Sequence, residues 1–200
     1  MIIVHRCNTL DKILKYKDMP IECDIRQTRD NKFILYHDEY YEDKRIRITN
    51  YDKLPKFPLL KELLEMDTNL ILLDIKEDVN IIEFFKQFRM LKPNVMIQVY
   101  KKNSLKVANN LFSDKISIGF VTDNPDPNMH SNFFTVNKDY ITNNIVYNIH
   151  KKNKKIFGYS FSDISELKKC DMIDGIITKN PKYLSDQIER KNPQEINLGF

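Results

Sequence analysis

The sequence has no tryptophan, few glycines, few cysteines and no long apolar run. Cys7, Cys23 and Cys170 are odd in number and form no CxxC pair, which argues against both a disulfide framework and a zinc knuckle. No apolar run approaches the roughly 18 residues that a membrane span needs, and no charged-then-apolar leader is visible at the N-terminus. We therefore expect a reduced, cytoplasmic protein without a transmembrane segment.

A strong excess of one charge sign is also missing. Lys and Arg together number 32 and Asp and Glu 28, which gives a formal net charge of +4. The densest basic run, KKNKK at 151–155, is typical of a solvated helix end. We therefore expect no nucleic-acid partner; the sequence leaves the oligomeric state open.

What the sequence does contain is enough apolar material for a single folded domain over residues 1–200. Hydrophobic residues make up 42% and aromatic residues 11% of the chain, which argues against disorder. Apolar, β-branched runs alternate with segments of helical periodicity, a pattern typical of βαβ units and a parallel sheet. The predicted strands are Ile2–His5, Ile21–Ile25, Phe33–His37, Leu70–Ile75, Val95–Val99, Ile116–Val121, Phe133–Val136, Ile156–Tyr159 and Ile173–Ile177. The predicted helices are Leu10–Tyr16, Leu59–Met66, Ile81–Leu91, Leu105–Phe112, Tyr140–Lys151, Ser162–Lys169 and Pro181–Arg190.

One predicted strand does not fit the alternation, because only the polar segment RQTRDN separates Ile21–Ile25 from Phe33–His37. These two strands should pair as a hairpin, and removing the extra strand leaves eight repeats. Two prolines within 122–132 leave little room for a fifth helix. We expect an α/β fold, a compact (β/α)8 TIM-type barrel with an extra hairpin strand after strand 2. A doubly wound open sheet is the main rival, but no GxGxxG follows the first strand.

Carboxylates cluster where functional residues gather in such a barrel, at the C-terminal ends of the strands. Glu22 and Asp24 share one face of their strand because side chains alternate, and Asp74 could supply a third carboxylate. Neighbouring carboxylates repel one another unless a positive charge lies between them. A divalent cation would take such oxygen ligands. The alternative is that Glu22 or Asp24 only pairs with a lysine or arginine at the rim.

Two histidines end strands at the same predicted mouth. With ordinary pKa values near 6.5, His5 and His37 could serve as general acid and general base, although a histidine at a strand end is also a common structural residue. Arg6 and Lys76 could bind phosphate oxygens, the first as a planar fork and the second as a point charge.

The order of these motifs resembles that of the glycerophosphodiester phosphodiesterase family. The stretch from HR through IECDIRQTRDNKFILYHDE to LLDIK resembles the family's ordered HR, ExD, T-x-DG turn, HD and ExK motifs. The segment GYSFSDISELKKCDMIDGIITKNPKYL is similar to the family's closing segment, in which a Trp-Thr-Val-Asn strand precedes a helix and DGIITDxP. The resemblance covers nearly the whole chain, from His5 to Leu184.

The resemblance implies an activity and a set of site residues. It implies a metal-dependent hydrolysis of glycerophosphodiesters, or related phosphodiesters, to an alcohol and a phosphomonoester such as glycerol phosphate. Glu22, Asp24 and Asp74 would bind one Mg²⁺ or Ca²⁺. His5 and His37 would be the acid–base pair. Residues Arg6, Lys76 and Tyr159 would contact the substrate, with Tyr159 standing where the family has Trp.

Several positions depart from the family pattern. Cys7 leads directly to Asn8 and Thr9, so residues of the usual loop after HR are missing. Asp74 replaces the usual Glu, and Asn31 replaces a turn Gly, which Asn tolerates in left-handed geometry. The segment 38–58 is too short for a capping insertion, so we expect an open pocket.

Other interpretations remain at this point. The barrel could be a phospholipase-type lyase that yields a cyclic phosphate, or a catalytically silent barrel that binds a phosphorylated ligand. Tyr36, Tyr40 and Tyr41 could receive a bulkier, partly apolar substrate group or could only pack the hairpin. His130, His150 and Cys170 carry no functional assignment.

Overall fold

The computed structural model describes residues 1–112, 115–163, 165–166 and 172–190. The strands are β1 (Ile2–Val4), β2 (Ile21–Gln27), β3 (Phe33–Leu35), β4 (Tyr40–Tyr41), β5 (Lys44–Arg45), β6 (Ile71–Ile75), β7 (Val95–Val99), β8 (Ser117–Val121), β9 (Phe133–Asn137), β10 (Lys155–Phe161) and β11 (Gly175–Thr178). The helices are α1 (Leu10–Lys15), α2 (Leu60–Glu65), α3 (Ile81–Gln87), α4 (Lys102–Phe112), α5 (Asn143–His150) and α6 (Pro181–Arg190). Half of the predicted helix Ser162–Lys169 falls outside the described residues, as does Cys170.

Eight parallel strands close into a barrel in the order β1, β2, β6, β7, β8, β9, β10 and β11. Closure is visible at β1, which pairs in parallel with β11 on one side and with β2 on the other. Strand β3 lies outside the ring and pairs antiparallel with β2, with Gln27 opposite Phe33. The predicted TIM-type barrel with an extra hairpin strand is therefore confirmed.

Among the described residues, the outer layer of helices is interrupted between β8 and β9. Residues 122–132 connect β8 to β9 through turns and bends without a helix, as the two prolines in this segment predict. Elsewhere the outward strand residues pack against the helices in one large apolar core. Over the described part of the chain, no helix has both the length and the apolar character to cross a membrane.

The barrel interior changes from apolar to polar along its axis. Five apolar side chains pack together toward the N-terminal ends of the strands: Ile3, Leu72, Phe133, Phe157 and Ile177. Gly119 makes room for them, because a Cβ at this position would overlap the ring of Phe133. On β6 the next inward position after Leu72 is Asp74, and on β2 the inward positions Glu22 and Asp24 pair with Leu72 and Asp74. The polar cavity at the C-terminal end of the barrel thus lies against a packed layer of apolar side chains.

Candidate active site

Three buried carboxylates meet at the C-terminal end of the barrel. Glu22, Asp24 and Asp74 are 2%, 1% and 4% exposed, and one carboxylate oxygen from each lies within 4.8 Å of the others. Asp24 lies directly opposite Asp74 because β2 and β6 pair in parallel register. The strand register therefore brings together the carboxylates that the sequence singled out.

Lys76 lies between two of these carboxylates. Its Nζ is 2.5 Å from Asp24 Oδ1 and 2.5 Å from Asp74 Oδ2. Although burial lowers the pKa of Lys76, the two aspartates raise it above its ordinary value. Burial raises the pKa of Asp24, but the ammonium of Lys76 together with a hydrogen bond from Asn8 lowers it, and the net pKa is below its ordinary value. Asp24 therefore forms a buried ion pair with a lysine.

Glu22 has a different environment. The backbone N–H of Arg6 donates to Glu22 Oε2 at 2.6 Å, and His5 Nε2 is 3.9 Å from the same oxygen. Arg6 has a φ of 55°, a left-handed conformation uncommon outside glycine, and at this position its amide meets the carboxylate. Burial, followed by the charges of Asp24 and Asp74, raises the pKa of Glu22 well above its ordinary value. Of the three carboxylates, Glu22 has the least compensated negative charge.

The two histidines lie on either side of Arg6. Burial, followed by the charge of Arg6, lowers the pKa of His5 to about 4, so the imidazole is neutral at pH 7. His37 Nδ1 is 2.7 Å from Asp38 Oδ1, and its Nε2 is 2.6 Å from Arg6 Nη2. Because a guanidinium only donates, His37 Nε2 accepts this bond and Nδ1 carries the proton that is donated to Asp38. His37 Nε2 is therefore the nitrogen that faces the cavity.

A small cavity of about 110 Å³ joins these groups. Its walls include every residue predicted for the site: His5, Arg6, Glu22, Asp24, His37, Asp74, Lys76 and Tyr159. Tyr159 supplies part of the wall from β10, where the resemblance implied an aromatic residue. The structure thus brings together all eight side chains, while their chemical roles are a matter for proposal.

Sequence reasoning missed several partners of the carboxylates. Asn8 Nδ2 donates to Asp24 Oδ2 at 2.7 Å, and the Asp24 amide donates back to Asn8 Oδ1 at 2.9 Å. Gln98 Nε2 donates to Asp74 Oδ1 at 3.0 Å, and Tyr100 OH donates to Asp74 Oδ2 at 2.7 Å. The one available signal was Gln98, an amide inside the apolar strand VMIQV.

The donor set fits a hard divalent cation. Three carboxylates converge, and the ammonium of Lys76 bonds to two of them but not to Glu22. Burying uncompensated carboxylate charge is costly, so a further positive charge would be stabilised here. Oxygen ligands of this kind suit Mg²⁺ and Ca²⁺. The site could therefore hold such an ion.

The fold and the cavity define a closed (β/α)8 barrel with an acidic pocket at the C-terminal ends of its strands. Many of the solved structures that it resembles carry the name glycerophosphodiester phosphodiesterase. A phosphodiesterase from Oleispira antarctica, solved with the product sn-glycerol-3-phosphate, superposes with a TM-score of 0.81 at 16% identity, covering 94% of this chain and 96% of that one. The Thermotoga maritima enzyme gives 0.73 at 20% identity, covering 93% and 97%. One from Parabacteroides distasonis gives 0.78 at 14% identity, covering 94% and 96%.

At these identities the likeness establishes the fold, and it supports the resemblance drawn from the motifs. The sequence itself matches no protein-family model. Among curated proteins it has no match either.

Proposed function

We propose that the protein is a metal-dependent phosphodiesterase that hydrolyses glycerophosphodiesters to an alcohol and a phosphomonoester such as glycerol phosphate. The observation that carries the proposal is one cavity in which three buried carboxylates face two histidines and an arginine. The fold shared with solved glycerophosphodiester phosphodiesterases, one of them solved with sn-glycerol-3-phosphate, supports it.

Glu22, Asp24 and Asp74 would hold one Mg²⁺ or Ca²⁺. Such an ion would polarise the phosphoryl oxygens and offset the negative charge that develops on them. Arg6 and Lys76 would contribute further positive charge toward the phosphate, and Tyr159 would line the wall beside it. For Arg6 this means exchanging its bond to His37 Nε2 for phosphate oxygens, which frees that nitrogen for proton transfer.

Proton transfer would fall to the two histidines. Water attacks phosphorus, and one histidine accepts the proton that the water loses. The bond from phosphorus to the leaving oxygen breaks, and the other histidine, which has to enter the step protonated, gives that oxygen its proton while the first histidine becomes the imidazolium. Asp38 would hold His37 in the tautomer whose Nε2 faces the cavity, through the bond at 2.7 Å.

Turnover of a small diester panel, with and without EDTA and added Mg²⁺ or Ca²⁺, tests this proposal. We expect glycerophosphodiesters to be hydrolysed only with the ion present. Full activity after exhaustive chelation would refute the metal assignment. Product analysis by ³¹P NMR distinguishes a phosphomonoester from the cyclic phosphate that a phospholipase-type lyase would release.

One observation favours a second candidate function. Lys76 already pairs with both Asp24 and Asp74, so part of the negative charge at these two residues is compensated without an ion. A catalytically silent barrel that binds a phosphorylated ligand would use this arrangement unchanged. Ligand binding by calorimetry together with no turnover under any ion condition would support it over the hydrolase.

A further inference from the structure

A second concave site, which we name the α4 cleft, lies in the outer layer of the barrel and has a volume of about 360 Å³. It is formed by α4 and by the connection from β8 to β9, whose turns and bends over 122–132 stand in place of a helix. Helix α4 packs against α3 on its other side. None of the described residues that line this cleft also lines the candidate active site. Its volume lies in the range typical of small-molecule sites.

The α4 cleft is positively charged. Lys102 and Lys106 line it one helical turn apart, and both side chains are exposed. In the described part of the chain no carboxylate lines the cleft, so these two ammonium charges have no counter-ion there. A bound anion would supply one. A phosphomonoester suits the pair best, because it carries between one and two negative charges at pH 7.

An unpaired acceptor gives the α4 cleft a second requirement. Asn109 lines the cleft and is only 9% exposed. Its Nδ2 donates to the His130 carbonyl at 2.5 Å, whereas its Oδ1 is buried and accepts no hydrogen bond from the described residues. Buried polar atoms in proteins are nearly always paired. Because the amide nitrogen is already bonded to the loop, a ligand at Asn109 would have to be a hydrogen-bond donor.

The loop wall of the α4 cleft is held in place before any ligand binds. The ammonium of Lys154 donates to the Met129 carbonyl. The Asn132 amide donates to the Ile118 carbonyl, and Asn132 Oδ1 accepts from the Ile118 amide, both at 2.8 Å. Leu105, which is buried, and Met129 add apolar surface to the lining. Little of the loop then has to be ordered when a ligand binds.

We propose that the α4 cleft binds a small phosphomonoester that carries at least one hydroxyl group. The phosphate lies between Lys102 and Lys106, and its carbon skeleton lies against Leu105 and Met129. A ligand hydroxyl donates to Asn109 Oδ1. This site is separate from the cavity proposed for diester hydrolysis and does not depend on that function.

Nuclear magnetic resonance of the histidine side chains tests the inference on the wild-type protein. His130 lines the α4 cleft, whereas His5 and His37 line the candidate active site, so the two sites have separate reporters. At constant pH, sn-glycerol-3-phosphate should shift the His130 signal to saturation. Its Kd there should be at least fivefold lower than that of methyl phosphate, which lacks a hydroxyl, as expected for one added hydrogen bond. Equal Kd values would overturn the role of the hydroxyl.

Three matched variants locate the binding. Lys102→Gln and Lys106→Gln should each raise the Kd measured at His130 at least threefold. Lys61→Gln removes the same charge from an exposed position on α2, outside the cleft, and should leave this Kd unchanged. Equal effects of all three variants would show a response to net charge alone and overturn the inference.

The same titration separates this inference from the proposed function. If sn-glycerol-3-phosphate shifts the signals of His5 and His37 but not that of His130, the α4 cleft is refuted and the hydrolase proposal is unaffected. If the His130 signal saturates while no diester is turned over under any ion condition, the hydrolase proposal fails and the α4 cleft stands.

Discussion

Glu22 is a buried carboxylate that accepts a backbone N–H but bonds to no ammonium or guanidinium among the described residues. Its two acidic neighbours and its burial both disfavour ionisation in the metal-free protein. The same arrangement would favour a bound cation. The strongest tests at the scale of single residues therefore start here.

Glu22→Gln should abolish activity while raising the melting temperature of the metal-free protein at pH 7. The amide keeps an oxygen to accept the Arg6 N–H and removes the buried charge. Because the folded pKa of Glu22 lies above its ordinary value of 4.5, ionisation costs stability as pH rises, so the variant's advantage should grow from pH 4 to pH 7.

The measurement is thermal unfolding of chelated, desalted protein at several pH values. Glu65→Gln, an exposed change on α2, is the matched control and should shift nothing. A Glu22→Gln variant that melts lower than wild type at pH 7 would contradict the idea of uncompensated charge.

The two histidines should each be needed for turnover. His5→Ala and His37→Ala should each lower kcat by about 10²–10⁴-fold, the usual range for losing a general acid or base. The kcat of the double variant should be little lower than that of the less active single variant, because both groups act in one step. Steady-state kinetics measures this, with His130→Ala outside the cavity as control. Near wild-type kcat in either single variant would make that histidine structural.

The sequence predicted the charged residues of the site better than their hydrogen-bonding partners. Glu22 and Asp24 stand out because carboxylates are rare inside an apolar strand. Asn8 and Tyr100 did not stand out, since amides and tyrosines are common at segment ends. Their bonds to Asp24 and Asp74 depend on the pairing of β1 with β2 and of β6 with β7, which joins positions 16 and 26 residues apart in the chain.

At the scale of elements, the packing of β8 against β9 depends on Gly119. Gly119→Ala should destabilise the protein by about 1–3 kcal/mol, because the new methyl group would overlap the buried ring of Phe133. Urea unfolding measures the loss. Adding Phe133→Leu to Gly119→Ala makes room and should recover part of it. If the two substitutions changed the free energy of unfolding additively, the two side chains would not be competing for the same space.

The strands and most helices were predictable because their periodicities are strong and local. The missing fifth helix was predictable as well, since proline excludes it from 122–132. The small β4–β5 hairpin within 38–58 was not predicted, because its strands have two residues each and show no alternation. Tyr36, which precedes this hairpin, and Tyr41 within it both contact the ring of Phe57.

For the whole molecule, ion binding should appear as stability. At a free Mg²⁺ or Ca²⁺ concentration of 100 times Kd, the folded state gains about 2.7 kcal/mol. For a chain of 200 residues, this corresponds to a rise in Tm of about 5–10 °C. Calorimetric or dye-monitored melting measures it. Glu22→Gln should abolish the rise, and an equal rise in that variant would place the ion elsewhere.

The position of Lys76 also bears on how the protein is made. Its ammonium gives the folded chain an internal counter-ion for Asp24 and Asp74, whereas many small metalloproteins remain unfolded until their ion arrives. For the ion proposed at this site, folding and loading then become separate events. A newly synthesised chain can close its barrel in a cell short of divalent ions and gain activity later, when the supply recovers.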